Sequence, residues 1–414
     1  MNGELGTKVE STIRGLRKIW ERFEGKHRFV GFSTGKDSLA VAGMLYEAVA
    51  PETPPCVYVH HSLEFPGNLN YVEAMKQHGF AIDTVKPHLD YFELIDRGMS
   101  FLTLRDAWCI PMLIGTGILE WLKTQGATTP REALMLRGMT GSEYSRKFHA
   151  PLEIYRRLDL PCFNPLLGYT REEILELLES RYRLPLNPLY GHMDRTYCIC
   201  CYTCDQRRQK YSAERYPDIT RRYYGQIERM LFDSGLAQRV GGDGAFATKE
   251  EKLVRHGFVH RRRTKAQNIL GAVRYRHTSG MIAYIVRDRQ WIDTKHLRPM
   301  QGNWLQKGNE LRFWGVPERA ADAVMKRMLN CVNCGYCMVE CFSNRRFNNR
   351  TKCLEIQGCV QCGRCLRVEY CMGWRHRFWR RVILDESDVR ERRQDRGISF
   401  SHGGVSGQQT AGAD

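Results

Sequence analysis

His27-Arg28-Phe29-Val30-Gly31-Phe32, followed at once by Ser33-Thr34-Gly35-Lys36-Asp37-Ser38, is the stretch on which the fold turns. The first six residues are a short apolar, aromatic run that reads as a strand. Beyond the turn, Leu39 to Ala50 (LAVAGMLYEAVA) carries apolar residues on most faces, as a helix covering a sheet does. A small-residue turn between strand and helix presents backbone N–H groups and the positive helix end to a phosphate. Ser33, Thr34, Gly35, Lys36 and Ser38 are therefore the candidate phosphate cradle. Lys36 neutralises phosphate oxygens, Ser33 and Ser38 hydrogen-bond them, and Asp37 is placed to hold magnesium. The GxxxxGK[ST] spacing of a Walker loop is absent, and an ordinary capped turn competes for these residues taken alone. Cys56 to His60 (CVYVH) reads as a second strand, which makes a βαβ unit and predicts an α/β fold with a doubly wound parallel sheet.

Working outward, residues 1–215 keep this alternation of short apolar runs and helical patterns. Gly168 to Arg181 (GYTREEILELLESR) predicts an amphipathic helix with Thr170 at its cap and acids in its first turn. The pattern changes near Tyr216. Residues 216–330 are expected to form a basic α+β module, with a loop at Gly241 to Gly244, strands at Met281–Val286 and Glu310–Trp314, and a helix near Glu318–Leu329. Residues 331–385 are expected to form a cysteine-rich ferredoxin-like domain, and 397–414 a disordered Gly/Ser/Gln-rich tail. With 414 residues, 42 % of them hydrophobic, the chain is long and apolar enough for several cores. It carries no apolar run of membrane-spanning length and no signal-peptide pattern at its amino terminus, so a cytoplasmic protein with no membrane partner is expected. The net charge of +17 is uneven: 27 Lys and Arg face 26 Asp and Glu up to residue 215, and 36 face 20 beyond it. A field of that sign concentrates nucleic acid, an acidic electron-donor protein or a phosphorylated metabolite without choosing among them, and also suits a plain solvated surface.

Phe32-Ser33-Thr34-Gly35-Lys36-Asp37-Ser38 resembles the SGGxDS-type loop of the adenine nucleotide α-hydrolase superfamily, and its companions point to the phosphoadenosine phosphosulfate (PAPS) reductase branch. His60-His61-Ser62-Leu63-Glu64-Phe65-Pro66 stands where that branch has a DTGxxFPET-like segment. Gly138 to Lys147 (GMTGSEYSRK) is similar to GxRxxESxxR, Asn164-Pro165-Leu166-Leu167 before Thr170 to NPLxxWTxxDV, and Asn187-Pro188-Leu189-Tyr190 to the NPLY that precedes a CxxC. Five segments stand in the family's order. The resemblance implies an adenine nucleotide (ATP, APS or PAPS) in the Ser33–Ser38 loop and assigns catalysis to Lys36, Asp37 and Arg146. The departures are Thr140 in place of the GxR arginine, His60-His61 in place of the acid, Tyr144 in place of Ser, and a tail without the mobile cysteine of thioredoxin-dependent reductases.

Sixteen cysteines without a secretory pattern suggest metal rather than disulfides. Cys198, Cys201 and Cys204 fall at x2 spacing in YCICCYTCD, and Cys109 supplies a distant fourth thiol, an arrangement similar to the cluster site of adenylylsulfate reductases. Tetrahedral zinc competes there. Cys331-x2-Cys334-x2-Cys337-x3-Cys341 and Cys359-x2-Cys362-x2-Cys365-x5-Cys371 resemble the double motif of bacterial-type ferredoxins. By that resemblance Cys331, Cys334, Cys337 and Cys371 hold one 4Fe-4S cluster, and Cys341, Cys359, Cys362 and Cys365 a second; a single cluster or zinc competes. The proline usual after the fourth cysteine is missing, Phe342 and Met372 standing there. Cys56, Cys162, Cys200 and Cys353 are left over; the first three read as packed thiols, and Cys353 as a lone cysteine, inert or reactive.

His260-Arg261-Arg262-Arg263 with Lys265, Arg274 and Arg276, and Trp374 to Arg381 (WRHRFWRR), combine cations with flat side chains, the chemistry of single-stranded nucleic-acid binding; a docking face for an acidic electron donor fits them too. Three functions follow. The first is an oxidoreductase of sulfur metabolism resembling an APS or PAPS reductase, with electrons arriving through the ferredoxin-like clusters. The second is an ATP-pyrophosphatase-type sulfur transferase that thiolates nucleic acid (tRNA, or DNA by phosphorothioation). The third is an iron–sulfur nucleotide sensor without turnover.

Overall fold

The structure, a computed structural model, describes residues 3–102, 107–141, 150–196, 198–201, 206–233, 272–276, 282–286, 294–300, 303–307, 310–339, 341–342, 344–359 and 371. Arg146, Cys204, Cys362, Cys365, the 241–244 loop, the 260–265 and 374–381 basic runs and the 397–414 tail lie outside the described residues.

In chain order the first unit contains α1 (Gly3–Arg22), β1 (His27–Gly31), α2 (Lys36–Val49), β2 (Cys56–Val59), α3 (Gly67–Gln77), β3 (Ile82–Val85), α4 (Tyr91–Asp96), α5 (Thr116–Thr124), β4 (Ala133–Arg137), β5 (Leu152–Tyr155), β6 (Leu160–Phe163), α6 (Arg171–Glu176), α7 (Gln206–Arg215) and α8 (Pro217–Asp233). The sheet runs β3-β2-β1-β4-β6-β5, parallel throughout except for β5 against β6. This is the α/β, mostly parallel architecture that the sequence predicts. Alternate residues feed opposite faces, as the two-residue period of a strand requires. Phe29, Val57, Val59 and Met135 enter one core; Val30, Tyr58, Leu134 and Leu136 enter the other. Strand order reverses between β1 and β4. A crevice opens at such a reversal, outside the carboxyl ends of the strands.

The expected helix over 168–181 is shorter and two-part. Thr170 caps it in a full capping box with Glu173, and its second half widens into a π-helix over Leu177–Tyr182. Arg181 and Tyr182 bond Glu47 from that turn, which ties it to α2.

Beyond this unit, β7 (Ala272–Arg276), β8 (Ile282–Val286), β9 (Trp304–Lys307) and β10 (Glu310–Phe313) form an antiparallel sheet in the order β7-β8-β10-β9. Helix α9 (Glu318–Asn330) packs Val324, Met325 and Met328 against Tyr284, Leu311 and Phe313. The described part of the cysteine cassette is a 3₁₀ turn, Tyr336–Val339, and a hairpin of β11 (Arg345–Asn348) and β12 (Cys353–Ile356). It is seated on the first unit, not tethered to it. Val332, Tyr336, Met338, Phe342, Phe347 and Leu354 belong to the same apolar core as Phe29 and Trp108. The Phe347 ring stacks on His88 at 4.4 Å. Arg97 donates to the carbonyls of Val332 and Lys352 at 3.1 and 3.0 Å, Lys123 donates to the Arg345 carbonyl, and Tyr336 to that of Arg157. No helix among the described residues is long and apolar enough to cross a membrane.

Candidate functional site

The turn after β1 is shaped by residues far away in sequence. Thr34 takes a left-handed conformation (φ 62°) and Gly35 an extended one before α2 begins at Lys36. Ser38 Oγ donates to the Gly35 carbonyl at 2.9 Å and accepts from the Ser33 amide at 3.1 Å, so this hydroxyl closes the turn. The Lys36 amide donates to Tyr190 Oη at 2.9 Å, and Asn187 Nδ2 donates to the Thr34 carbonyl at 3.4 Å. The NPLY segment thus buttresses the loop. Gly138, just past β4, fills the remaining side: a Cβ there would lie 2.6 Å from the Asp37 carbonyl oxygen and closer still to the Ser38 amide. Only glycine permits that approach.

The loop opens into a cleft of about 600 Å³ at the β1/β4 reversal. Ser33, Gly35, Lys36 and Asp37 face it, whereas Thr34 and Ser38 are buried below. Lys36 Nζ lies 2.6 Å from Asp37 Oδ1, a partly desolvated pair at the mouth of α2. Arg171 and Arg195 also face the cleft, and Thr140 stands where the family resemblance expected arginine. Arg171 comes from helix α6, where it pairs with Asp194 of the same cleft at 3.2 Å, and Arg195 from the segment beyond Pro188–Gly191; no motif quoted above assigns either a role.

The opposite wall is sulfur-rich. Cys109, Cys198 and Cys201 line the same cleft from two distant segments. Burial and the neighbouring Cys201 push the Cys109 thiol up to about 12. Burial, Cys201, Glu64 and Cys109 hold Cys198 well above the usual thiol range. His61 is 5 % exposed. It accepts the Leu63 amide at Nδ1 (3.3 Å), which assigns the ring hydrogen to Nε2, 3.6 Å from Cys198 Sγ and 3.4 Å from Glu64 Oε1. Burial lowers His61 to about 4 and raises Glu64 to about 7, so between those values the contact joins two uncharged groups and is not an ion pair. Tyr58 and Asn68 supply Glu64 with hydrogen bonds.

Among the described residues no three His, Cys, Asp or Glu side chains converge closely enough to hold one ion. The donor chemistry nevertheless suits soft, thiophilic metal. Buried thiols that repel one another's ionised forms are relieved by a bound cation, which makes thiolates the stable state. The same holds in the cassette, where Cys331, Cys334, Cys337 and Cys371 line one pocket, the foursome that the crossed ferredoxin pairing groups together. Of the second foursome, Cys341 and Cys359 are half-buried. Cys56, Cys162 and Cys200 are buried in the cores, as packed thiols should be.

No protein-family model matches the chain, and no curated protein does. Among solved structures it is similar to phosphoadenylyl-sulfate (PAPS) reductase from Candida auris in a phosphate complex, at 11 % identity and TM-score 0.33 over 47 % of this chain and 95 % of that one. It is also similar to Candida glabrata FMN adenylyltransferase with FMN and the ATP analog AMPCPP (13 %, TM-score 0.32, 45 % and 61 %). Yeast FAD synthetase in complex with FAD stands at 16 % and 0.32, with 46 % and 65 % covered. The chain spans less than two thirds of the length of these last two proteins.

Proposed function

We propose that the chain is an iron–sulfur enzyme of sulfur metabolism that binds an adenine nucleotide over the Ser33–Asp37 turn and reduces its sulfonucleotide end, as the APS and PAPS reductases its motifs resemble do. One observation carries this: the phosphate turn and three cysteines, Cys109, Cys198 and Cys201, line a single cleft. Backbone N–H groups of the turn and Lys36 grip the phosphates. Arg171 and Arg195 balance the charge of the sulfate end, and Asp37 keeps Lys36 oriented until phosphate arrives. In the reaction two electrons enter the oxygen–sulfur bond; sulfur leaves as sulfite, and the bridging oxygen stays with the phosphate. The balance requires no proton. Cys109, Cys198, Cys201 and Cys204 would hold a cluster at the cleft, and the cassette cysteines two more, supplying one-electron transfers from an external donor protein. His61 and the Ile110–Gly115 turn keep bulk water from the sulfur wall.

A second reading is ATP-dependent sulfur transfer to nucleic acid. Thr140 in the arginine's place and an intact Lys36–Asp37 pair, able to recruit magnesium, favour it. The two separate in one assay. Anaerobically purified protein is offered ATP, APS and PAPS: sulfite released with reduced viologen supports the reductase, and pyrophosphate released in response to RNA or DNA supports the transferase. Binding of all three without cleavage removes both.

A further inference from the structure

One buried cation lines the cassette pocket and a second bonds one of its cysteines. Arg327, from the last turn of α9, is 3 % exposed and lines it; Arg345, from β11, is 1 % exposed and donates from Nη1 to Cys337 Sγ at 2.8 Å. His296, 3 % exposed, lines the same pocket, and among the described residues neither of its ring nitrogens has a hydrogen-bond partner. Lys295 donates to Asn333, which lines the same pocket. The strand pleat sharpens the contrast: Arg345 points inward, while Arg346, one residue on, is exposed.

A deeply buried guanidinium favours anionic company, and one of the atoms Arg345 bonds is the Cys337 sulfur. An uncharged thiol offers a guanidinium little, whereas a thiolate offers it a charge-assisted hydrogen bond. Cysteines bound to metal are thiolates, so the cage suits a thiolate-ligated guest. The cleft is built the other way. There Cys198 faces the acid Glu64 and an uncharged His61.

We propose that Arg345 and Arg327, with His296 beside them, are positioning residues that favour the reduced state of an iron–sulfur cluster at Cys331, Cys334, Cys337 and Cys371, making this pocket the chain's electron store. This rests on the iron–sulfur reading above. Each electron added makes the cluster one charge more negative, and cations in contact with its ligands stabilise that state. A store is useful because a sulfonucleotide takes two electrons and each cluster gives one.

The test is a dithionite titration of the full chain, purified without oxygen and followed by electron paramagnetic resonance, with iron measured on the same samples. Arg345→Gln and Arg327→Gln should each lower the midpoint potential of one cluster by at least a tenfold change in the reduction equilibrium, about 59 mV for one electron. Arg345→Lys, which keeps the charge, should recover part of the shift, and Arg346→Gln should leave the potential alone. Unchanged potentials at full iron content overturn the proposal. So does loss of iron from both glutamine variants while Arg345→Lys retains it, which would put the arginines in cluster assembly. Wild-type protein without iron is a different failure: it removes the cluster reading itself, while nucleotide binding in the cleft stays open to its own assay.

Discussion

Gly138→Ala adds one methyl group at the point where β4 meets the phosphate turn. The added Cβ would sit 2.6 Å from the Asp37 carbonyl oxygen. Ordinary contact lies near 3.5 Å, so the 37–38 peptide and the end of β4 must part by about 1 Å. Both partners are backbone, so no side chain can rotate away. Overpacking of this kind costs about 1–3 kcal/mol. The functional loss should be larger, because a misplacement of about 1 Å in a positioning loop can lower turnover about 100-fold. Gly168→Ala is the matched control: its Cβ would meet nothing within 4 Å, and Gly→Ala at an unstrained position is neutral or stabilising by under about 1 kcal/mol. The assay is urea unfolding of both variants beside titration calorimetry with ATP, APS and PAPS. Gly138→Ala should lose stability and bind at least tenfold more weakly, while Gly168→Ala matches wild type. Equal binding by the two variants would refute the claim that the turn's backbone grips the nucleotide.

Three further outcomes are expected. Lys36→Met should weaken nucleotide binding about 10- to 100-fold by calorimetry with little change in melting temperature, since a charge-assisted contact is worth about 1.5–3 kcal/mol; undiminished affinity would move the phosphates elsewhere. Thr170→Ala should cost about 1 kcal/mol in urea unfolding, because the hydroxyl accepts the Glu173 amide at 3.2 Å in the capping box. Glu64, with its carboxyl raised from 4.5 to about 7 by burial, binds its proton more tightly folded than unfolded. In iron-free protein its contribution is therefore fullest below pH 4.5 and falls by about 3 kcal/mol as pH rises through 7. Glu64→Gln should lack that decline, and parallel stability curves for the two proteins from pH 4.5 to 8 would exclude the assignment.

The phosphate turn was legible because strand, small residues and helix occur within one short stretch, so local rules decide it. Helix α1 is equally open to local reading, with Leu5, Val9, Ile13, Leu16 and Trp20 at helical spacing. The partners of the turn were less legible. That Tyr190 props Lys36, or that Gly138 abuts Asp37, follows from the crossover at the β1/β4 reversal, which no local pattern encodes. His61 reads from sequence as a departure from a motif and Glu64 as an unremarked neighbour; only burial beside Cys198 gives them a role. Spacing alone grouped Cys331, Cys334 and Cys337, and the resemblance added Cys371. The inward turn of Arg345 depends on strand register, and the sequence offers Arg345 and Arg346 as equals.

The shared apolar body beneath Tyr336, Phe347 and Trp108 has an architectural consequence. A redox module on a tether can swing, trade partners and be severed without harm to its neighbour. The cysteine cassette is bolted in place, so cutting the chain after residue 330 should strip hydrophobic cover from the core around Phe29 and Trp108 and yield an insoluble fragment. On the iron–sulfur reading proposed above, any current between the halves would run over a fixed gap, set by packing and not by diffusion.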